Sequence, residues 1–188
     1  MKRNTIITAI ALLVTQAIAT SCNEWLEVDS SANVQEELLF SDPEGYRTAV
    51  NGVYRLLSAP ELYGQQLTWG AASVLGNNYD DTRLPGGQYY DVSYRELAAG
   101  DYESQYSLAW IDPIWMQGYR VIANCNNIIA YIEAESPDFF TRRDDERDMI
   151  LGEMLGLRAM MHLDILRLFA PSAKADDGKP YIPYVTVF

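Results

Sequence analysis

The chain has 188 residues, with 26 acidic side chains against 14 basic ones and a single histidine. That length suits one modest domain with a core of its own. The acidic balance offers no basic stripe for phosphates and argues against nucleic acid as a partner. A lone His also rules out a His-rich metal site, and nothing in the composition calls for a cofactor.

In chain order, Lys2 and Arg3 precede an apolar run from Ile6 to Ala19, the pattern of a secretory signal rather than of a spanning helix. Ala19, Thr20, Ser21 and Cys22 follow, and small residues directly before a Cys resemble the lipobox of bacterial lipoproteins. That resemblance implies cleavage before Cys22, lipidation of Cys22, and membrane attachment by the lipid anchor alone, each buried acyl CH₂ contributing about 0.8 kcal/mol. An ordinary cleaved signal with an accidental Cys is the plainer alternative. With Cys22 acylated, Cys125 stands alone, and neither a disulfide nor a Cys-based zinc site remains. Residues 22–40 read as a tether and entry segment, and residues 41–188 as one helical domain.

Ser41, Asp42, Pro43 and Glu44 read as a capping box with Pro in the first turn. The spacing of Tyr46, Val50, Val53, Tyr54 and Leu57 predicts a helix from about Pro43 to Ser58. From Glu61 to Tyr106 the periodicity collapses and Gly, Asn, Asp and Tyr take over, which predicts a long irregular loop with a short helix embedded over Leu67–Leu75. Asp112 with Pro113 predicts the start of a second long helix, whose stripe is Trp115, Gly118, Ile122, Cys125, Ile129 and Ile132. Thr141 with Asp144 caps a third, with Ile150, Met154, Leu157, Met161, Ile165 and Leu168 on its buried face. Gly152 and Gly156, one turn apart, are expected to let a neighbouring helix approach closely. Tyr181 to Phe188 is a β-prone apolar run without a stop signal, and the chain is expected to be cut short there.

The residues that bear polar and aromatic chemistry concentrate in the irregular stretch. Trp69, Asn77, Asn78, Tyr79, Asp80, Asp81, Arg83, Tyr89 and Tyr90 are the candidate ligand-binding residues, since sugar rings stack their CH faces on aromatic rings while hydroxyls need amide, carboxylate or guanidinium partners. Each has a plainer reading: Asp80 and Asp81 as turn formers, Arg83 as their ion-pair partner, Trp69 and Tyr63 as core. His162, among Met160, Met161 and Leu163, reads as a packed residue rather than a ligand. Glu153 and Arg158 read as structural partners between helices.

Several segments together resemble the amino-terminal part of the SusD/RagB family of outer-membrane nutrient-binding lipoproteins. They are Cys22 with Trp25, Leu26 and Glu27; Thr48 to Tyr54; Trp115, Tyr119, Ile122 and Asn124 to Asn127; and Gly152, Glu153, Leu157 to Ala159 with Asp164 and Leu166 to Phe169. The chain departs from the family pattern at Ala170 and Pro171, where Gly is usual, and family members are usually longer. The resemblance implies a mainly α fold of tetratricopeptide-like helix pairs with a long irregular aromatic loop. Gly118 and Gly152 are spaced by the tetratricopeptide period. It implies a surface-exposed lipoprotein of the cell outer membrane, paired with a SusC-like TonB-dependent receptor, that captures an oligosaccharide or peptide and passes it on without covalent chemistry. The alternatives from the residues alone are a secreted glycoside-hydrolase-type lipoprotein built on Asp80 and Asp81, and a helical-repeat lipoprotein that binds only protein.

Overall fold

A computed structural model describes residues 36–79, 90–140 and 145–188. The signal, Cys22, most of the tether, Asp80, Asp81, Arg83, Tyr89 and the Thr141–Asp144 cap lie outside the described residues. The chain divides between Ser41 and Asp42. Before that boundary the described residues form one helical turn, and the Ser41 hydroxyl donates to the Leu38 carbonyl at 2.7 Å.

Beyond it the described residues are mainly helical, with no strand among them. Helix α1 spans Pro43–Leu57. Its cap is Asp42 rather than Ser41: Asp42 Oδ1 accepts the Gly45 N–H at 2.8 Å. The shift by one residue places Pro43 at the first helical position, where its missing N–H costs nothing.

In its described parts, the stretch expected to be one irregular loop is wound into turns and short helices. Tight turns from Ser58 to Gly70 lead into α2, Ala71–Leu75, and a further helix, α3, covers Tyr90–Ala98. Helix α4 spans Gln105–Ala134 and so starts well before Asp112. Ser104 is its cap, its Oγ accepting the Tyr106 N–H at 3.2 Å. Pro113 lies inside the helix, where loss of an amide donor costs about 3 kcal/mol. Buried Ser107, Ile114, Gly118, Val121 and Cys125 continue one stripe across it, and burial of that face outweighs the local cost. A 3₁₀ turn at Pro137–Phe139 precedes α5, Glu146–Phe169.

Helices α4 and α5 pack antiparallel, with Gly118 opposite Met161 and Ile165, and Asn126 opposite Arg158. Helix α1 runs parallel to α5, as the cross-links Arg47–Glu146 and Tyr54–Glu153 require. Tyr46, at the start of α1, meets the end of α4 through Glu135 and the rings of Phe139 and Phe140. Val53, Ile122, Ile132, Met154, Met161 and Ile165 fill the core between these helices.

The close approach is at Gly118, not at Gly152 and Gly156. A Cβ on Gly118 would lie 3.0 Å from Ile165 Cδ1, whereas one on Gly152 or Gly156 would meet nothing within 4 Å. Both α5 glycines are exposed. The run from Tyr181 to Phe188 forms no strand; it lies extended without a ladder partner. Gly118→Val is expected to lower stability by about 1–3 kcal/mol through overpacking. Gly156→Ala should raise it by about 1 kcal/mol through helix propensity; urea denaturation of both variants followed by circular dichroism checks the contrast.

Candidate functional site

Helix α2 is too short to persist by itself, and both its ends are tied. At its start no Ncap side chain serves, and Gln66, 3% exposed, reaches over so that Oε1 accepts the Ala71 N–H at 2.9 Å. Gly70 has no space for a Cβ, which would sit 2.6 Å from that same oxygen. At its end the Asn77 N–H donates to the Val74 carbonyl at 3.0 Å and the Asn78 N–H to Ser73 at 2.9 Å, the bond pair of a Schellman motif. Asn77 occupies the left-handed position at φ 54°, which Asn tolerates better than most side chains.

This construction sets out four of the candidate residues. Trp69 precedes α2 and is 57% exposed; Tyr79 follows it and is 43% exposed. The Tyr79 hydroxyl donates to the Trp69 carbonyl at 2.5 Å, so the two aromatic residues are joined across the helix while their rings meet solvent. Asn77 and Asn78 lie beside them, exposed. Together they form a ledge with stacking surface and amide groups. Tyr90 opens α3, and its side chain is not among those described. Tyr63 is not part of the ledge: it is half-buried, and its hydroxyl donates to Asp164.

That contact belongs to a series. Tyr46 donates to Glu135 at 3.4 Å, Tyr54 to Glu153, and Tyr63 to Asp164, while Arg47 forks onto Glu146 at 2.6 and 2.7 Å. The carboxylate beside Tyr54 and its partial burial push that phenol up to about 12. Burial, with the nearby acid second, pushes Tyr46 and Tyr63 higher still. Glu153 and Arg158 each reach a neighbouring helix rather than one another. Arg158 Nη1 donates to Asn126 Oδ1 at 2.9 Å and to the Thr186 carbonyl at 3.2 Å.

The second contact reveals an arrangement that sequence reasoning missed. The extended segment after Tyr181 is strapped across α4 and α5 through its backbone. Tyr119 donates to the Pro183 carbonyl at 2.8 Å, and Asn126 Nδ2 to those of Val185 and Val187, both at 3.2 Å. His162 Nε2 accepts the Val185 N–H at 3.1 Å, which leaves Nδ1–H to donate to the Arg158 carbonyl at 2.9 Å. His162 is thus a packed residue, with both ring nitrogens engaged. The signal in the sequence was the buried-face position of Asn126 and His162: polar groups inside a helix pair need partners, and the strap supplies them.

Cys125 is buried and free, and burial pushes its thiol up to about 11. Among the described residues no helix is long and apolar enough to cross a membrane, and no three His, Cys, Asp or Glu side chains gather as a metal site.

No protein-family profile matches the chain, and no solved structure does. The chain is 26% identical over 160 residues to the SusD-like protein P25 of Formosa agariphila, a match that covers 79% of this chain and 27% of the relative. It therefore spans about a quarter of the length of the curated relative it matches.

Two outcomes follow from the geometry. Asn77→Gly should keep or slightly raise stability, by up to about 1 kcal/mol, while Asn77→Val lowers it; thermal melts of the two variants separate the backbone role from any role of the amide in binding. The raised Tyr54 phenol contributes stability that is fully present below the ordinary tyrosine value of 10.0 and is lost as the pH climbs towards about 12. Urea midpoints should hold steady up to about pH 10 and then fall, and Tyr54→Phe should flatten that fall in part.

Proposed function

We propose that this chain corresponds to the amino-terminal part of a SusD-type lipoprotein of the outer membrane. In this reading it binds a nutrient oligosaccharide or peptide and delivers it to a SusC-like TonB-dependent receptor. The observation that carries the proposal is the 26% identity over 160 residues to a SusD-like protein, spread along 79% of the chain. The mainly helical architecture agrees with it, and tetratricopeptide-like pairing of α4 with α5 is the finer form of the proposal.

Cys22 serves in this reading as the lipid attachment point, since acyl chains hold a protein to a bilayer without a spanning helix. The acidic balance, 26 acids to 14 bases, gives no attraction to anionic headgroups, so the anchor has to be apolar. The ledge of Trp69, Asn77, Asn78 and Tyr79 is the described part of the ligand surface, with Asp80, Asp81, Arg83, Tyr89 and Tyr90 completing it. The role is capture: exposed rings and amides hold a ligand by stacking and hydrogen bonding and perform no bond making or breaking.

Recovered from native outer membranes in mild detergent, the protein is expected to bring a TonB-dependent barrel with it, and Cys22→Ser to leave the membrane fraction. Recovery alone, from wild type and at full yield, would withdraw the transport role. Trp69→Ala should weaken oligosaccharide binding three- to tenfold, the equivalent of about 0.5–1.5 kcal/mol for one ring contact, with the circular dichroism spectrum unchanged. Unaltered binding in that variant removes the ledge from the ligand surface.

A further inference from the structure

The face of α2 opposite solvent borders a cavity of about 540 Å³, inside the range of roughly 300–1,000 Å³ usual for small-molecule sites. Five separate pieces of chain wall it: α2, α3, the turn before α4, α4 itself, and the end of α5 with the strap. Ala71, Leu97 and Ile114 are buried and form its floor, while Leu75, Tyr102 and Tyr181 stand partly exposed around its mouth. The cavity is open to solvent on one side, at the mouth where Leu75, Tyr102 and Tyr181 stand.

The chemistry of the lining is one-sided. Among the described residues eleven line the cavity, of which none is charged and none carries a side-chain amide. Of its two phenols, that of Tyr181 already donates to Asp177 at 2.5 Å, and Asp177 in turn pairs with Lys179 at 2.6 Å. Two residues further on, the strap is pinned where Tyr119 holds the Pro183 carbonyl, so the Tyr181 ring is fixed from both sides as a wall. Among the described residues the hydroxyl of Tyr102 remains as the uncommitted polar side-chain group at the mouth. A polyol placed here would strip its hydroxyls of water and find one partner, a loss of about 1–3 kcal/mol for each group left unpaired. An aliphatic or aromatic body gains from the same floor at about 25 cal/mol per Å² removed from water. The acidic chain disfavours an anion.

We propose that this cavity is a binding site for a small neutral apolar molecule, its aliphatic or aromatic body on the Leu97–Ile114 floor and one polar group at the mouth beside Tyr102. The site is separate from the Trp69–Tyr79 ledge and does not rest on the nutrient-uptake reading.

The test is a fluorescence titration of the full chain with Nile red, a neutral apolar dye. The expected result is saturable binding of one dye per chain, weakened tenfold or more by Leu75→Arg, which sets a charge at the mouth, and unchanged by Leu163→Arg, on the exposed face of α5. Tyr102→Ala, at an exposed rim position, gives a second variant should Leu75→Arg lose its helical spectrum, and it should weaken binding at least threefold. Absence of saturable binding overturns the proposal. So does equal weakening by Leu163→Arg, which would put the dye on the α5 face, or displacement of the dye by millimolar maltohexaose. Co-purification with a TonB-dependent barrel is read independently, so failure of either proposal leaves the other standing.

Discussion

The contact at Gly118 sets the geometry that the other features use. Because no side chain stands there, Ile165 and Met161 of α5 seat directly against the α4 backbone, and two long helices pack at close range along buried stripes. Close-packed interiors have little slack, so the separation fixed at one point is held along the pair. Asn126 then lies within reach of Arg158, and both, with His162 and Tyr119, line up to accept the strap. Polar groups buried at 2% and 4% exposure, as Asn126 and His162 are, would be costly without partners. Backbone groups of the strap meet that need, so helix spacing and strap position are one problem with one solution.

A second constraint comes from charge. With acids outnumbering bases nearly two to one, there are too few cations to pair every carboxylate that lands between helices. Tyrosine meets the shortage: a phenol brings one donor and a large apolar surface without adding or removing charge. Tyr46, Tyr54, Tyr63 and Tyr181 each donate to a carboxylate, and three of these pairs tie α1 and the turn after it to the long helices. These four tyrosines are therefore structural.

What could be read from the sequence follows the range of the forces involved. The three long helices were legible because their stripes repeat every three to four residues over many turns. Their starts were less so: Asp112–Pro113 has the form of a cap, and only burial of Ser107 and Ile114 on the same stripe reveals that α4 passes through it. Gly152 and Gly156 are small residues one turn apart, but sequence does not say which face looks inward, and theirs looks out. Helix α3 escaped notice because its nine residues carry too little periodicity to stand against the surrounding Gly and Asn. Of the site, the exposure of Trp69 and Tyr79 agreed with their composition-rich surroundings. The strap and the cavity were invisible, since each is made by residues far apart in sequence: Asn126 meets Val185, and Leu75 and Leu168 line the same cavity.

The short helix α2 links the two surfaces considered above. Five residues cannot maintain a helix alone, so its persistence depends on the Gln66 cap, the Asn77–Asn78 closure and burial of Ala71 and Val74. One side of this helix presents Trp69 and Tyr79 outward, tied to each other through the Trp69 carbonyl. The other side supplies Ala71 and Leu75 to the cavity. The two ends of so short an element are held by different groups: the Gln66 amide oxygen fixes its start next to Trp69, and the Asn77–Asn78 closure fixes its end next to Tyr79. The helix persists because both fastenings and the buried Ala71 and Val74 act together, none of them being enough for five residues alone.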